Sequence, residues 1–553
     1  MVSNVILIIC YEIIASVQSL TTHVTLPIGE LSGYISTTRN GKEFVAFEGV
    51  PYAKPPIGAL RFEEPQPVDQ WGGVFKTNVL HKCIQYNHYT PPGKDMVQGE
   101  EDCLYLNIYT PELDKALRDV IIYIHGGAFM FGSGASYGPY TILDQNIVFV
   151  TVNYRLGPLG FLSTEDKVVP GNNGLKDQIL ALKWVSDNIK YFGGNPCSIT
   201  LTGMSAGGAS AQLHSLSPLS KGLFHRGISQ SGTVLNPWVL VENSLEKTKK
   251  ISLNLNCTIS TTRDMIACLK ERKAYDIVAS VNLLMPWLYN PISPFGVVVD
   301  KWSTKPFLKE HPYKLLLEGR INDLPWIFSN VASEGLYPAA DFIAKTQYLE
   351  EIDQFWDDLI PHILDFNHTV DINDRSSVLT KIREFYFQNM SVSEATYGNL
   401  IKMVSDRLFI TDIERAAKLH SISIQSPVYY YYFSYRGAHS KSELRSLTNN
   451  DYGASHGDDT VYVLSTEVNT HSTPTDQNMS KLLVNMWTSF SSTGIPKIND
   501  VIWLQMSKKS YVDSINYLHI YNTSCLEMKS NVTLGNTPFW ESLPLRENEK
   551  LMR

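Results

Sequence analysis

FGGNPCSITLTGMSAGG, residues 192–208, decides how the rest of this chain is read. Its Ser198-Ile199-Thr200-Leu201-Thr202 segment has the composition of a short strand and runs into Gly203-Met204-Ser205-Ala206-Gly207, a G-x-S-x-G turn. In a nucleophile elbow of that form the serine takes a strained backbone conformation. The glycines two positions either side leave room for a close strand-to-helix approach that a Cβ would block. Ser205 is then held up as an exposed nucleophile. The pentapeptide fixes only three positions, so its flanks must supply the context. Upstream, residues 175–191 carry Ile179, Leu182, Val185 and Ile189 at helical spacing, and Phe192-Gly193-Gly194-Asn195-Pro196 ends that helix. Helix, glycine stop, strand, serine turn and helix is the order expected of an elbow in an α/β sheet.

Outward from this stretch, residues 120–125 (VIIYIH) and 147–152 (IVFVTV) are nearly continuous apolar runs of strand length, suited to the centre of a largely parallel sheet buried on both faces. Residues 104–109 alternate as a strand, 324–331 and 427–435 read as further buried strands, and 481–490 as a helix. Residues 29–71, rich in Gly and Pro, predict small strands and turns ahead of the main sheet. Strands alternating with helices along the chain predict an α/β fold with a large mixed, mostly parallel central sheet flanked by helices. Sites in such sheets form at the carboxyl ends of strands, where Ser205, Glu334 and His456 all fall in this reading.

A serine hydroxyl needs a base to take its proton, and that base needs a carboxylate to hold it. Behind an elbow the partners follow in the order serine, acid, histidine, an order that Glu334 and His456 satisfy, each in a glycine-flanked loop after a predicted strand. Taken singly, Glu334 also reads as a surface carboxylate and His456 as a loop histidine. His225 and His439 compete for the role but lack such a loop. The oxyanion that forms when a carbonyl is attacked needs donors. Tyr123-Ile124-His125-Gly126-Gly127-Ala128-Phe129 closes a strand with small residues, which nominates the N–H groups of Gly127 and Ala128, together with Ala206, and leaves Gly126 to shape the turn. His125 reads as a brace for that loop, not a base.

The chain of 553 residues is 43% hydrophobic and 11% aromatic, enough for a large core. No Pro/Ser/Gly linker, charge block or repeat divides it, so residues 20–553 read as a single catalytic domain. A formal net charge of -8 and the absence of a basic cluster exclude a nucleic-acid footprint. No C-x-x-C pair, H-E-x-x-H or phosphate-loop motif occurs, so neither a metal nor another cofactor is implied. Residues 1–19, with the apolar run VILIIC followed by small residues, predict a secretory signal peptide. Glu12 within the run and the lack of a preceding basic residue leave a buried N-terminal strand as the other reading. No later stretch is long enough to span a bilayer, so a secreted protein without a membrane anchor is expected. Cys10 would leave with the signal, and Cys83, Cys103, Cys197, Cys257, Cys268 and Cys525 remain. Cys83 with Cys103 and Cys257 with Cys268 are near enough to close short loops, although sequence leaves connectivity open. Sequons at Asn256, Asn367, Asn389, Asn478, Asn522 and Asn531 are candidate glycosylation sites in the secretory pathway.

These residues carry a resemblance. Residues 47–56 (FEGVPYAKPP), Leu60-Arg61-Phe62, residues 101–107 (EDCLYLN), Asn153-Tyr154-Arg155, Gly174-Leu175-Lys176-Asp177-Gln178 and the elbow itself follow one another in the order seen in type-B carboxylesterases. The chain resembles the carboxylesterase/cholinesterase family of the α/β-hydrolase fold, and with Gln230-Ser231-Gly232-Thr233 and Met285-Pro286-Trp287 it is most similar to secreted insect carboxylesterases. The resemblance implies a Ser205, Glu334, His456 triad, disulfides Cys83 to Cys103 and Cys257 to Cys268, and ion pairs Arg61 to Glu101 and Arg155 to Asp177. Acetylcholinesterases carry a glutamate before the nucleophile and a tryptophan inside the first disulfide loop. Here Met204 replaces the first, and residues 84–102 hold no tryptophan. Choline esters are therefore not expected, and small uncharged carboxylic esters are. Juvenile hormone esterases typically carry glutamine where Met204 stands. Trp238, Trp287 and Phe295 are candidates for the acyl pocket, or for core packing. The expected function is a secreted serine carboxylesterase acting in xenobiotic or insecticide detoxification. Its alternatives are a hormone or pheromone esterase and a non-catalytic binding protein of the same fold.

Overall fold

The computed structural model describes residues 20–90, 93–388 and 390–549. The segment read as a signal peptide and the sequon at Asn389 lie outside the described residues. An eleven-stranded sheet runs through the chain. In chain order its strands are β1 (Tyr34–Thr37), β2 (Glu43–Pro51), β3 (Tyr105–Thr110), β4 (Arg118–Ile124), β5 (Val148–Val152), β6 (Gly194–Met204), β7 (Arg226–Gln230), β8 (Trp326–Val331), β9 (Val428–Phe433), β10 (Ile515–Ile520) and β11 (Leu526–Asn531). Their spatial order is β11-β10-β9-β8-β7-β6-β4-β5-β3-β2-β1. The seven strands β4 to β10 pair in parallel. β1, β2 and β3 on one side and β11 on the other pair antiparallel. This is the mixed, mostly parallel sheet that the apolar runs predict.

The central strands are continuous in apolar residues because both faces are covered. Along β4, Val120, Ile122 and Ile124 enter one core while Ile121 and Tyr123 enter the other. Opposite pointing of successive side chains splits one run between two cores. Short strands His23–Leu26, Gly29–Ser32 and Val74–Lys76 form a separate small sheet.

The helix before the elbow, α1 (Asn173–Asn188), passes through a 3-10 turn, Ile189–Phe192, and stops at Gly193 with φ 75°. The helix predicted over 481–490 starts earlier, spanning Pro474–Thr493. Its start is fixed by a cap and not by apolar periodicity: the Thr473 hydroxyl accepts from Asp476 N–H at 3.1 Å and Pro474 occupies the first turn.

Two charge pairs, one partly and one fully buried, tie the loops around the sheet. Arg61 donates to both oxygens of Glu101 at 2.6 Å, and to the carbonyls of Leu269, Lys270 and Arg272. Arg155 donates to both oxygens of Asp177, at 2.8 and 2.7 Å, and Asp177 also accepts from Arg155 N–H. The Arg155 side chain is 4% exposed and that of Asp177 0%. Removing one partner strands a buried charge, so Arg155→Met should lower stability by about 3–5 kcal/mol, read as a fall in the urea midpoint. The double variant Arg155→Met/Asp177→Leu should recover much of that loss. A loss below about 1 kcal/mol in the single variant would contradict this account.

Candidate active site

At the end of β6 the backbone turns sharply: Ser205 has φ 60° and ψ -126°, outside the regions that L-residues favour, and caps α2 (Ala206–Leu216). Such a conformation costs on the order of 1–3 kcal/mol and persists only where its surroundings over-determine it. Here they do. The Ser205 N–H donates to the Gln230 carbonyl at the end of β7 at 2.8 Å, and its carbonyl accepts from Ala209 at 2.9 Å. A Cβ on Gly207 would lie 1.9 Å from the Ile124 carbonyl oxygen, and one on Gly232 would lie 2.1 Å from the Ser205 carbonyl oxygen. Glycine at 232 thus supports the elbow from the turn just beyond the neighbouring strand β7.

Glu334 and His456 are 122 positions apart in the chain, and one rung of sheet brings them together. Beyond β8 and β9, Ser333 pairs in parallel with Ser455, the Ser333 N–H donating to the Ala454 carbonyl at 2.9 Å. The next residue on each side is Glu334 or His456. His456 Nδ1–H donates to Glu334 Oε2 at 2.5 Å, and Glu334 Oε1 accepts from Val331 N–H at 2.9 Å. Glu334 is fully buried. The imidazole is packed between rings as well: Tyr337 stacks on it with centroids 5.4 Å apart, and the tilted ring of Phe409 lies 4.6 Å away. Its second nitrogen, Nε2, is buried and has no hydrogen-bond partner among the described residues. The Glu–His half is closed, while the Ser205–His456 hydrogen bond is not made. Such contacts commonly tighten only when substrate binds.

Ser205 and His456 line one cavity of about 490 Å³. Gly126 and Gly127 line it too, and a Cβ on Gly126 would come within 2.9 Å of the Ser205 Cβ, so the small-residue loop lies directly against the elbow. Gly127 and Ala128 both have positive φ, 110° and 51°. Among the described residues no backbone acceptor takes up either N–H. Ala206 is the first residue of α2, so its N–H has no intrahelical acceptor. His125 does not line the cavity. It is buried, its Nδ1–H donates to the Gly126 carbonyl at 2.8 Å, its ring stacks on Tyr154, and burial pushes its pKa down to about 4. His225 accepts from Ile199 N–H beside β6, and His439 lies against Glu443. Neither lines the cavity.

The walls are Tyr89, Phe131, Tyr137, Met204, Leu336, Tyr337 and Leu444, with polar and charged groups between them. Trp238, Trp287 and Phe295 are not among them. Trp238 and Phe295 are buried in the core, and Trp287 Nε1–H donates to Glu351. The Cys83–Cys103 disulfide closes the loop that carries Tyr89, and the Gln85 side chain in that loop bonds both the N–H and the carbonyl of Gly132. A second disulfide joins Cys257 and Cys268, while Cys197 and Cys525 are free. Gln85, Gln230, Gly232 and Phe409 escaped the sequence reading as site residues. Phe409 lies in a π-helical turn, Asp406–Ile410, which apolar periodicity does not reveal. No three His, Cys, Asp or Glu among the described residues converge on a metal position, and no helix among them is long and apolar enough to cross a membrane.

The chain is 42% identical over 525 residues to venom carboxylesterase-6 of Apis mellifera, covering 94% of each. It is 40% identical over 526 residues to esterase FE4 of Myzus persicae, covering 93% of this chain and 92% of the relative. Among solved structures, juvenile hormone esterase from Manduca sexta, with OTFP covalently attached, superposes with a TM-score of 0.82 at 26% identity. That match covers 94% of this chain and 99% of the other. The model of the carboxylesterase family matches residues 20–540, and the chain belongs to that family.

Proposed function

We propose that Ser205, His456 and Glu334 carry the ester hydrolysis of this carboxylesterase through an acyl-Ser205 intermediate. The observation that carries the reading is the short Glu334–His456 bond, which leaves Nε2 without a partner among the described residues on a histidine that lines the same cavity as Ser205. Ser205 Oγ attacks the ester carbonyl carbon as His456 Nε2 takes its proton. The N–H groups of Gly127, Ala128 and Ala206 hold the oxyanion. The tetrahedral intermediate collapses, the C–O bond to the alcohol breaks, and His456 returns the proton to the leaving oxygen. Water then attacks the acyl carbon with His456 again as base, and the carboxylic acid leaves as Ser205 regains its proton. The Glu334 carboxylate orients the ring through Nδ1 and stabilises the imidazolium. The relative from Manduca sexta, with its covalently attached ligand, lends support to covalent chemistry in this fold.

The substrates are carboxylic esters without a positive charge, since Met204 supplies no carboxylate to the cavity and Lys82, Lys441 and Arg445 line it. Residues 20–553 act as one catalytic domain, secreted after removal of residues 1–19. Two disulfides fit an oxidising compartment, and Asn256 and Asn478 are exposed and open to glycosylation. Detoxification of foreign esters is the role favoured. A hormone ester is the second reading, supported by the juvenile hormone esterases of Tribolium castaneum, 32% identical, and Manduca sexta.

The test is stoichiometric labelling with a fluorophosphonate. One label per chain on the Ser205 peptide, with loss of activity against a p-nitrophenyl ester in proportion, is the expected result. Labelling elsewhere, or full activity after complete labelling of Ser205, would refute the mechanism.

A further inference from the structure

The catalytic cavity carries a charge balance opposite to that of the chain around it. Whereas the whole chain is formally at -8, the charged residues in the walls of this cavity are Lys82, Lys441 and Arg445 against Glu467 alone. Arg445 is neutralised by an ion pair with Asp341 and rests over the Tyr89 ring at 4.2 Å. Among the described residues Lys82 reaches only the Gln98 amide oxygen, at 3.4 Å. Lys441 has no carboxylate within ion-pair distance among the described residues. The acid that faces it, Asp458, already accepts from the Ser440 hydroxyl and from the N–H groups of Lys441 and Ser455, at 2.7, 2.9 and 2.8 Å. The ammonium stays close to the reacting groups: an atom placed as a Cβ on Gly457, next to His456, would lie 3.2 Å from Lys441 Nζ and 2.9 Å from Met204 Cε.

Lys441 also borders a second cavity of about 650 Å³, which shares Ser136, Tyr137, Lys441 and Glu467 with the first. Hydroxyls dominate its other walls, from Thr37, Thr38, Ser465 and Thr466 among others. Arg39 supplies its second cation and is bonded to the Thr470 hydroxyl at 3.2 Å and, among the described residues, to no carboxylate. Among the described residues neither cation makes an ion pair, and with the hydroxyl donors around them they stand against a single wall carboxylate, Glu467, so they offer an anion charge-assisted hydrogen bonds that neutral esters leave unused.

We propose that the site selects esters carrying a carboxylate, which Lys441 holds at the junction of the two cavities with Arg39 beyond it, while the ester carbonyl is presented to Ser205. This rests on the Ser205 reading, names a substrate class for it, and departs from the uncharged esters expected from the sequence. The carboxylate could belong to the acyl part or to the alcohol part, and the two are separated by the choice of probes.

The experiment compares kcat/KM for p-nitrophenyl butyrate with mono-p-nitrophenyl glutarate, and for phenyl acetate with 4-acetoxybenzoate, in wild type, Lys441→Met, Lys441→Glu and Arg39→Met. In wild type one anionic member should exceed its neutral partner. Lys441→Met should lower that ratio about tenfold, the size of one charge-assisted hydrogen bond in a partly wet site. Lys441→Glu should lower it further, and raising salt should lower it in wild type and not in Lys441→Met. A fall in the ratio with Arg39→Met places the carboxylate in the second cavity. A ratio that is the same in wild type and both Lys441 variants, with neutral esters still turned over, overturns this inference alone. Failure of wild type to hydrolyse any of the four overturns the Ser205 reading and this inference with it.

Discussion

Ser205→Ala should lower ester turnover by about 10⁴-fold or more while leaving the fold in place. The expectation rests on what Oγ does and does not touch. Among the described residues no hydrogen bond holds the hydroxyl, so deleting it strands no buried donor or acceptor. The strained turn depends on the Ser205 N–H and carbonyl bonds and on the glycines at 203, 207 and 232, none of which involve the side chain. Alanine keeps the Cβ and the same φ penalty, so stability should stay within about 0.5 kcal/mol of wild type. The residual rate should come from binding and the oxyanion donors alone. A p-nitrophenyl ester assay beside thermal unfolding makes the check, and turnover within tenfold of wild type would show that another group is the nucleophile.

Much of this arrangement is legible in the sequence, for reasons that differ from part to part. The apolar runs around Ile122 and Val150 mark β4 and β5 because a strand covered on both faces has no solvent side to alternate with. The elbow is legible because its glycines answer a steric demand local to the turn. Glu334 and His456 could be nominated from chain order, but their contact depends on the Ser333–Ser455 bridge, a long-range pairing that local pattern does not carry. The supports were less visible still. Gln230 belongs to an ordinary buried strand, and only its position beside β6 turns its carbonyl into the acceptor for the Ser205 N–H. The aromatic candidates Trp238 and Phe295 went to the core, as large apolar side chains do when nothing local says which side of a cavity wall they take. The cations Lys82, Lys441 and Arg445 come from distant loops, and no spacing rule would have joined them.

Glu334→Gln offers the sharpest separation of charge from shape. The glutamine amide fits the same space, and its oxygen can still accept from Val331 N–H. What is lost is the negative charge against Nδ1. If the amide nitrogen faces the ring, it donates to Nδ1 and forces the proton onto Nε2, so His456 presents a donor to Ser205 where a base is needed. If the amide oxygen faces the ring, the tautomer survives, but Val331 N–H meets an NH₂ group and the imidazolium of the transition state has no anion beside it. Either orientation raises the barrier, and in a fully buried site the lost charge interaction is not replaced by water. A fall in kcat of about 10³- to 10⁴-fold is expected, with KM changed much less, because Glu334 does not line the cavity. Glu334→Asp should restore part of the rate, since charge returns although the shorter side chain reaches the ring less well. The discriminating measurement is the split between kcat and KM in Glu334→Gln and Glu334→Asp beside wild type. A small loss of kcat in Glu334→Gln, or no recovery of rate in Glu334→Asp, would mean that the carboxylate serves packing and not the base.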